Sequence, residues 1–250
     1  MAGEYGKKPK YTAIVLAAGS GSRMHSEVKK QYMELCGKPV VVHSLERFEQ
    51  SEWIDSVILV VGHEDLQYAL NLSLQYGLRK VKNIVEGGAQ RYQSVYNGVK
   101  VADPDTDYLL IHDGARPLVS EDLIARCCSE VAEYKACVAA VPVKDTIKTS
   151  DTDGYAVQTP DRSRLWAVQT PQAFSYPLFV EAYRKLFETI RAYQSDASKI
   201  TDDAMIVEGM ADRRVKLIEG DYRNLKITTP EDMAIAEALL REEGKESSSD

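Results

Sequence analysis

The chain has 250 residues, 44% of them hydrophobic, with 31 basic and 38 acidic side chains and a formal net charge of -7. This is enough apolar material for one α/β domain, and the acidic balance excludes a global positive field that would draw the protein to nucleic acid or an anionic membrane. Any anion site must therefore be a local cluster of basic groups.

The opening "MAGEYGKKPKY" lacks the apolar core of a secretory signal, and no run elsewhere approaches the roughly 20 apolar residues of a membrane span. A soluble, cytoplasmic protein is expected. Cys36, Cys127, Cys128 and Cys137 have neither metal-ligand spacing nor the density of a disulfide scaffold, so reduced, mostly buried thiols are expected. The four histidines lack zinc spacing, and His112 alone falls beside a candidate site.

In chain order, apolar β-branched runs occur at "YTAIVLAA", "SVILVV", "VKNIV", "DYLLIH" and "ACVAAVPV", with helical spacing between most of them. Alternating strands and helices predict a Rossmann-like α/β fold: a mainly parallel, twisted sheet with helices on both faces. Its ligand would lie beyond the carboxyl ends of the strands. Ser120 and Thr201 read as helix caps, with Thr201 open to a ligand contact as well, and Thr229-Pro230 starts a last helix whose Met233, Ala236, Leu239 and Leu240 share one face. The stretch "KDTIKTSDTDGYAVQTPDRSRLWAVQTPQAF" breaks the alternation: extended patterns flank Asp153-Gly154, as in a protruding β-hairpin. Two strands bury little by themselves, so a second subunit is the expected support. These readings give a flexible N-terminus at 1–10, a single domain over 11–242 with a β-arm at about 144–170, and a disordered tail at 243–250.

The first strand runs into "AAGSGSRM", where Gly19 and Gly21 let backbone N–H groups approach an anion. A dinucleotide fingerprint would need a third glycine at Met24, and a Walker loop would need Gly-Lys-Ser/Thr where the chain reads Ser22-Arg23-Met24. Both familiar loops fail. Ala17, Ala18, Gly19, Gly21, Arg23 and Lys30 nonetheless crowd the end of one strand, a set that suits a triphosphate during phosphoryl transfer.

These motifs, with "KKQY", "GKPVVVHSLERFE", "EGGAQRYQSVYNGV", "HDGARPLV", "VKDTIK", "LWAVQTPQAF", "TDDA" and "EGDYRNLKITTPEDMAIAE", resemble the 2-C-methyl-D-erythritol 4-phosphate cytidylyltransferase family of sugar-phosphate nucleotidyltransferases, which serves the non-mevalonate route to isoprenoids. The resemblance spans about Tyr11 to Leu240 and implies a magnesium-dependent homodimer acting on CTP and methylerythritol phosphate. It implies that CTP lies against Ala17, Ala18, Gly19, Gly21, Gly87, Gly88, Ser94, Asp113 and Gly114. Gly87-Gly88 can equally be a plain turn into the next helix. Arg23 and Lys30 match the basic pair that stabilises the triphosphate; the family usually has proline where this chain has Lys29, and Lys30 is preferred because it precedes Gln31-Tyr32. Asp113, at a strand end, is positioned to hold a divalent cation, or alternatively to cap the turn at Gly114.

For the second substrate, the family pattern implies Arg116, Thr146, Thr170, Thr201 and Lys226. Arg162, with Arg164 as its rival, matches the arginine lent across the dimer interface to the partner's site. Arg23, Lys30, Arg162 and Lys226 thus form the implied catalytic set. A ribitol 5-phosphate cytidylyltransferase is the nearest alternative, disfavoured by Ala17-Ala18-Gly19 and by "HDGARP". A non-catalytic nucleotide-binding regulator is disfavoured by retention of the charged groups.

Overall fold

The computed structural model describes residues 7–19, 28–193 and 199–246. In chain order the elements are β1 (Tyr11–Ala17), β2 (Glu34–Leu35), β3 (Lys38–Pro39), α1 (Val40–Gln50), β4 (Ser56–Val61), α2 (Leu66–Gln75), β5 (Val81–Glu86), α3 (Arg91–Val99), β6 (Tyr108–Asp113), α4 (Glu121–Tyr134) and β7 (Ala136–Pro142). There follow β8 (Thr149–Ser150), β9 (Ala156–Gln158), β10 (Trp166–Ser175), α5 (Tyr176–Tyr193), α6 (Asp203–Ala211), β11 (Lys216–Glu219) and α7 (Pro230–Glu246).

Among the described residues the main sheet has the order β11-β7-β10-β6-β1-β4-β5. All its pairings are parallel except those of β10, which runs antiparallel between β6 and β7. The five apolar runs became β1, β4, β5, β6 and β7. Alternate residues of each strand supply two cores: Ala13 and Val15 face α1, α2 and α4, while Ile14 faces α3, α5 and α6. Helices therefore cover both faces, as predicted. Strand order reverses at β1, whose neighbours β4 and β6 are reached by connections to opposite sides, and such a switch opens a crevice at the carboxyl ends of the strands.

Several boundaries differ from expectation. Trp166 already pairs with Pro142 in the main sheet, so the protruding part of the arm ends near 165 and not 170. Its tip is the hairpin of β8 and β9, turned at Gly154 with φ +87°. Ser120 caps α4 as predicted, its hydroxyl accepting from the Leu123 N–H. The cap of α6 is Asp202 and not Thr201, because the Asp202 carboxylate accepts from the Met205 N–H at 3.0 Å, and a charged acceptor is favoured at a helix N-terminus. α7 buries Ala236 against Met233, Leu239 and Leu240 as expected, but continues to Glu246, past the predicted domain end at 242. Of the predicted N-terminal stretch, Lys10 is pinned by its N–H to the Asp107 carboxylate, whereas 1–6, like the last four residues, lie outside the described residues.

Candidate active site

At the carboxyl ends of β1, β5 and β6 lies a cleft of about 450 Å³. It brings together Ala17, Ala18, Gly19, Lys30, Gly88, Ser94, Asp113 and Lys226, eight of the residues expected there. Gly21 and Arg23 lie outside the described residues.

The first wall is the turn leaving β1. Buried Gln31 donates through Nε2 to the carbonyls of Ala17 at 2.7 Å and Gly19 at 3.0 Å, which fixes the turn's mouth. Lys30, on the short 3-10 turn Lys30–Tyr32, lines the cleft and donates to the Ile227 carbonyl at 3.1 Å. Lys29 instead pairs with Asp65 and Glu64, so of the two lysines it is Lys30 that lines the cleft.

The second wall leads into α3. Ser94 Oγ accepts the Gly88 N–H at 3.0 Å. A Cβ on Gly87 would stand 2.4 Å from Ala18 Cβ, and one on Gly88 would stand 2.3 Å from Gln93 Cβ. Close packing of this turn thus requires both glycines, but only Gly88 lines the cleft. Gly114 does not line it either: its missing Cβ allows packing against the Leu16 carbonyl and Val41.

The floor is charged. Asp113, ending β6, accepts from Lys226 Nζ at 2.7 Å and faces Arg91 Nε at 3.7 Å. Burial alone would raise its carboxyl, but Lys226, Arg91 and Arg116 together hold it well below the usual carboxylate range. Arg91 also binds the fully buried Asp203 carboxylate at 2.7 Å, which in turn accepts from the Tyr183 hydroxyl. Burial opposes the Arg91 charge, yet Asp203 and Asp113 outweigh it and raise that guanidinium further above its ordinary value. Behind the floor, the Asp113 N–H donates to Thr170 Oγ1 and that hydroxyl donates to His112 Nδ1, each at 3.1 Å, while His112 Nε2–H donates to the Arg116 carbonyl at 3.2 Å. Burial lowers the His112 pKa to about 4, so its ring is neutral.

The other expected substrate residues do not line this cleft. Thr170 is buried in the relay just described, and buried Arg116 donates to the Asn224 carbonyl at 2.7 Å, although its Nε has no partner among the described residues. Thr201 is exposed and donates to Met205 Sδ. Thr146 and Arg162 are exposed on the arm, where Arg162 reaches the Lys144 carbonyl at 2.8 Å. Sequence reasoning did not single out Gln31, Arg91 or Asp203. A signal for Arg91 existed, since a cation in the first turn of a helix opposes the helix dipole unless a carboxylate holds it there.

The family model for 2-C-methyl-D-erythritol 4-phosphate cytidylyltransferase matches residues 11–242. The enzyme of that name from Lachnospira eligens is 49% identical over 92% of this chain and 99% of its own length. Its namesake from Lachnoclostridium phytofermentans is 50% identical over 93% of this chain and 97% of its own. The crystal structure of 4-diphosphocytidyl-2C-methyl-D-erythritol synthase from Anaerococcus prevotii superposes with a TM-score of 0.79 at 33% identity, covering 94% of this chain and all of that one.

Proposed function

Because the chain belongs to the 2-C-methyl-D-erythritol 4-phosphate cytidylyltransferase family, we propose that its cleft transfers CMP from CTP to 2-C-methyl-D-erythritol 4-phosphate, releasing pyrophosphate. One observation carries this reading: Lys30, Lys226, Arg91 and Asp113 converge with the backbone of Ala17 to Gly19 and of Gly88 on one cleft. In the reaction a phosphate oxygen of the alcohol phosphate attacks the α-phosphorus of CTP. The new P–O bond forms as the bond to the oxygen bridging the β-phosphate breaks, and the electron pair leaves with pyrophosphate. A phosphate monoester is already ionised near neutral pH, so no protein base is required, and catalysis rests on positioning and charge neutralisation.

The residues divide this work. Lys30 and, as the family pattern implies, Arg23 would stabilise charge growing on the α-phosphoryl group and the departing pyrophosphate. Gly19, Gly88 and Ser94 would hold the nucleoside. Lys226, fixed beside Asp113, would orient the attacking phosphate together with Arg162 of a second subunit. Among the described residues Asp113 is the one carboxylate lining the cleft, and no group of three potential metal ligands stands together. That donor set fits a Mg2+ ion held by Asp113, with phosphate oxygens and water completing its shell; when bound it would offset phosphate charge. The arm supports a homodimer, because Tyr155 and Val157 on it are 74% and 69% exposed, apolar surface that a second copy could cover.

The test is pyrophosphate release with CTP and, side by side, methylerythritol phosphate and ribitol 5-phosphate. Turnover should be confined largely to the former. Preference for ribitol phosphate would overturn the substrate assignment, and CTP binding without turnover on either would point to a regulator.

A further inference from the structure

Lys29 has no place in the chemistry above, yet its surroundings are built. Its Nζ is bound by Asp65 at 2.7 Å and by Glu64, both on the short 3-10 turn His63–Asp65 that follows β4. Gly62, at the entry to that turn, leaves space for the pair: a Cβ there would stand 2.9 Å from Asp65 Oδ2 and 3.2 Å from Lys29 Nζ. Burial would lower the Lys29 pKa, but the hydrogen bonds and charges of Asp65 and Glu64 reverse this and raise it, while Lys29 holds the Glu64 carboxyl below its ordinary value.

Two carboxylates more than offset the Lys29 charge, so this side chain adds nothing net to the attraction of an anion. Its backbone does something else. The Lys29 carbonyl accepts the Tyr32 N–H at 2.8 Å, closing the turn that presents Lys30 to the cleft and Gln31 to the Ala17 and Gly19 carbonyls. The segment is thereby fastened at its start to the end of β4 and at its middle to the end of β1.

We propose that Lys29 is a positioning residue, an electrostatic tether from the Lys30 turn to Asp65 and Glu64 that holds the Lys30 ammonium over the cleft. The inference rests on the cytidylyl transfer proposed above. Misplacement of a catalytic group by about 1 Å can lower turnover on the order of 100-fold, whereas a partly exposed ion pair contributes little to global stability. Removing the tether should therefore reduce rate far more than it reduces folding.

The experiment compares the whole protein with Lys29→Ala, Asp65→Asn, Lys29→Arg, Lys30→Ala and the Lys29→Ala/Lys30→Ala double variant, in pyrophosphate release and thermal melting. Lys29→Ala and Asp65→Asn should each lower kcat roughly tenfold or more with near-normal melting, Lys29→Arg should restore much of the rate, and Lys29→Ala should cause no further loss once Lys30 is alanine. Additive losses would mean that Lys29 touches substrate directly, and a Lys29→Ala rate within about twofold of the parent's would mean that the tether has no role; either result overturns the proposal. Acylation of Lys30 by an amine reagent, followed by mass spectrometry, separates the two readings. A parent protein without turnover defeats the transfer reaction alone, whereas identical Lys30 labelling in the parent and Lys29→Ala, with and without CTP, defeats the tether.

Discussion

His112 offers a test in which the size of the effect follows from burial. The residue is fully buried, and its pKa falls from 6.5 to about 4 because the charged ring would lose its hydration. As pH drops, the unfolded chain takes up this proton before the native one does, so native stability declines from about pH 6.5 down to about pH 4 and no further below. At about 1.4 kcal/mol per tenfold step, the whole interval is worth about 3 kcal/mol, of which about 2 kcal/mol is lost between pH 7 and pH 5. His112→Gln keeps an amide donor for the Arg116 carbonyl but cannot titrate. Urea unfolding at pH 7, 6 and 5 should therefore show the variant less stable at neutral pH but flatter across the series by about 2 kcal/mol. His43, whose pKa burial also lowers, is common to both proteins and cancels. Asp113 acts in a lower window: its depressed carboxyl pKa adds stability above about pH 4, lost as pH falls toward the folded value. Equal pH slopes in the two proteins would show that His112 is not held neutral and would undo the relay through Thr170 to Asp113.

Gly87→Ala places a methyl group where Ala18 Cβ stands 2.4 Å away, so the lip of the cleft must shift. Calorimetry should show CTP binding weakened about tenfold or more, equivalent to at least about 1.4 kcal/mol; unchanged affinity would mean that this wall does not touch the nucleotide. Lys30→Ala should lower turnover severely without unfolding, and a nearly normal rate would remove its role. Arg162→Ala and Lys226→Ala should each be nearly inactive alone. After mixing under conditions that allow subunit exchange, they should regain about a quarter of the parent rate, since about half the dimers are mixed and each carries one intact site. No recovery would argue against sharing of sites through the arm.

β1, β4, β6 and β7 were legible because their apolar runs are continuous, as strands buried on both faces require. β10 was not. Its centre reads Gln169, Thr170, Pro171, Gln172, and a proline among polar residues argues against an internal strand. The sheet accommodates it by a register shift between Val168 and Gln172, and tertiary hydrogen bonds satisfy the buried amides: Gln169 donates to the Asp221 carbonyl, and Gln172 meets Asp202 and the N–H groups of Asp203 and Ala204. β11 escaped for a different reason, since four residues with only Ile218 buried carry no periodicity to read.

The same division explains the cleft. Gly19, Lys30 and Asp113 stand at strand ends or in short motifs that can be read one segment at a time, whereas Lys226 follows only from the family resemblance of its motif. Arg91 has meaning only through partners remote in sequence, one 22 residues and one 112 residues away. It stands in the first turn of α3, where the helix dipole disfavours a cation. Asp203, fully buried and itself unfavourable unless paired, compensates it from the first turn of α6, and Asp113 does so from the end of β6. Only Arg91 is set against its own helix; the two carboxylates are costly to bury unpaired, and the fold meets both demands by bringing them beside one guanidinium. A charge set against the preference of its own helix thus marks where distant segments meet.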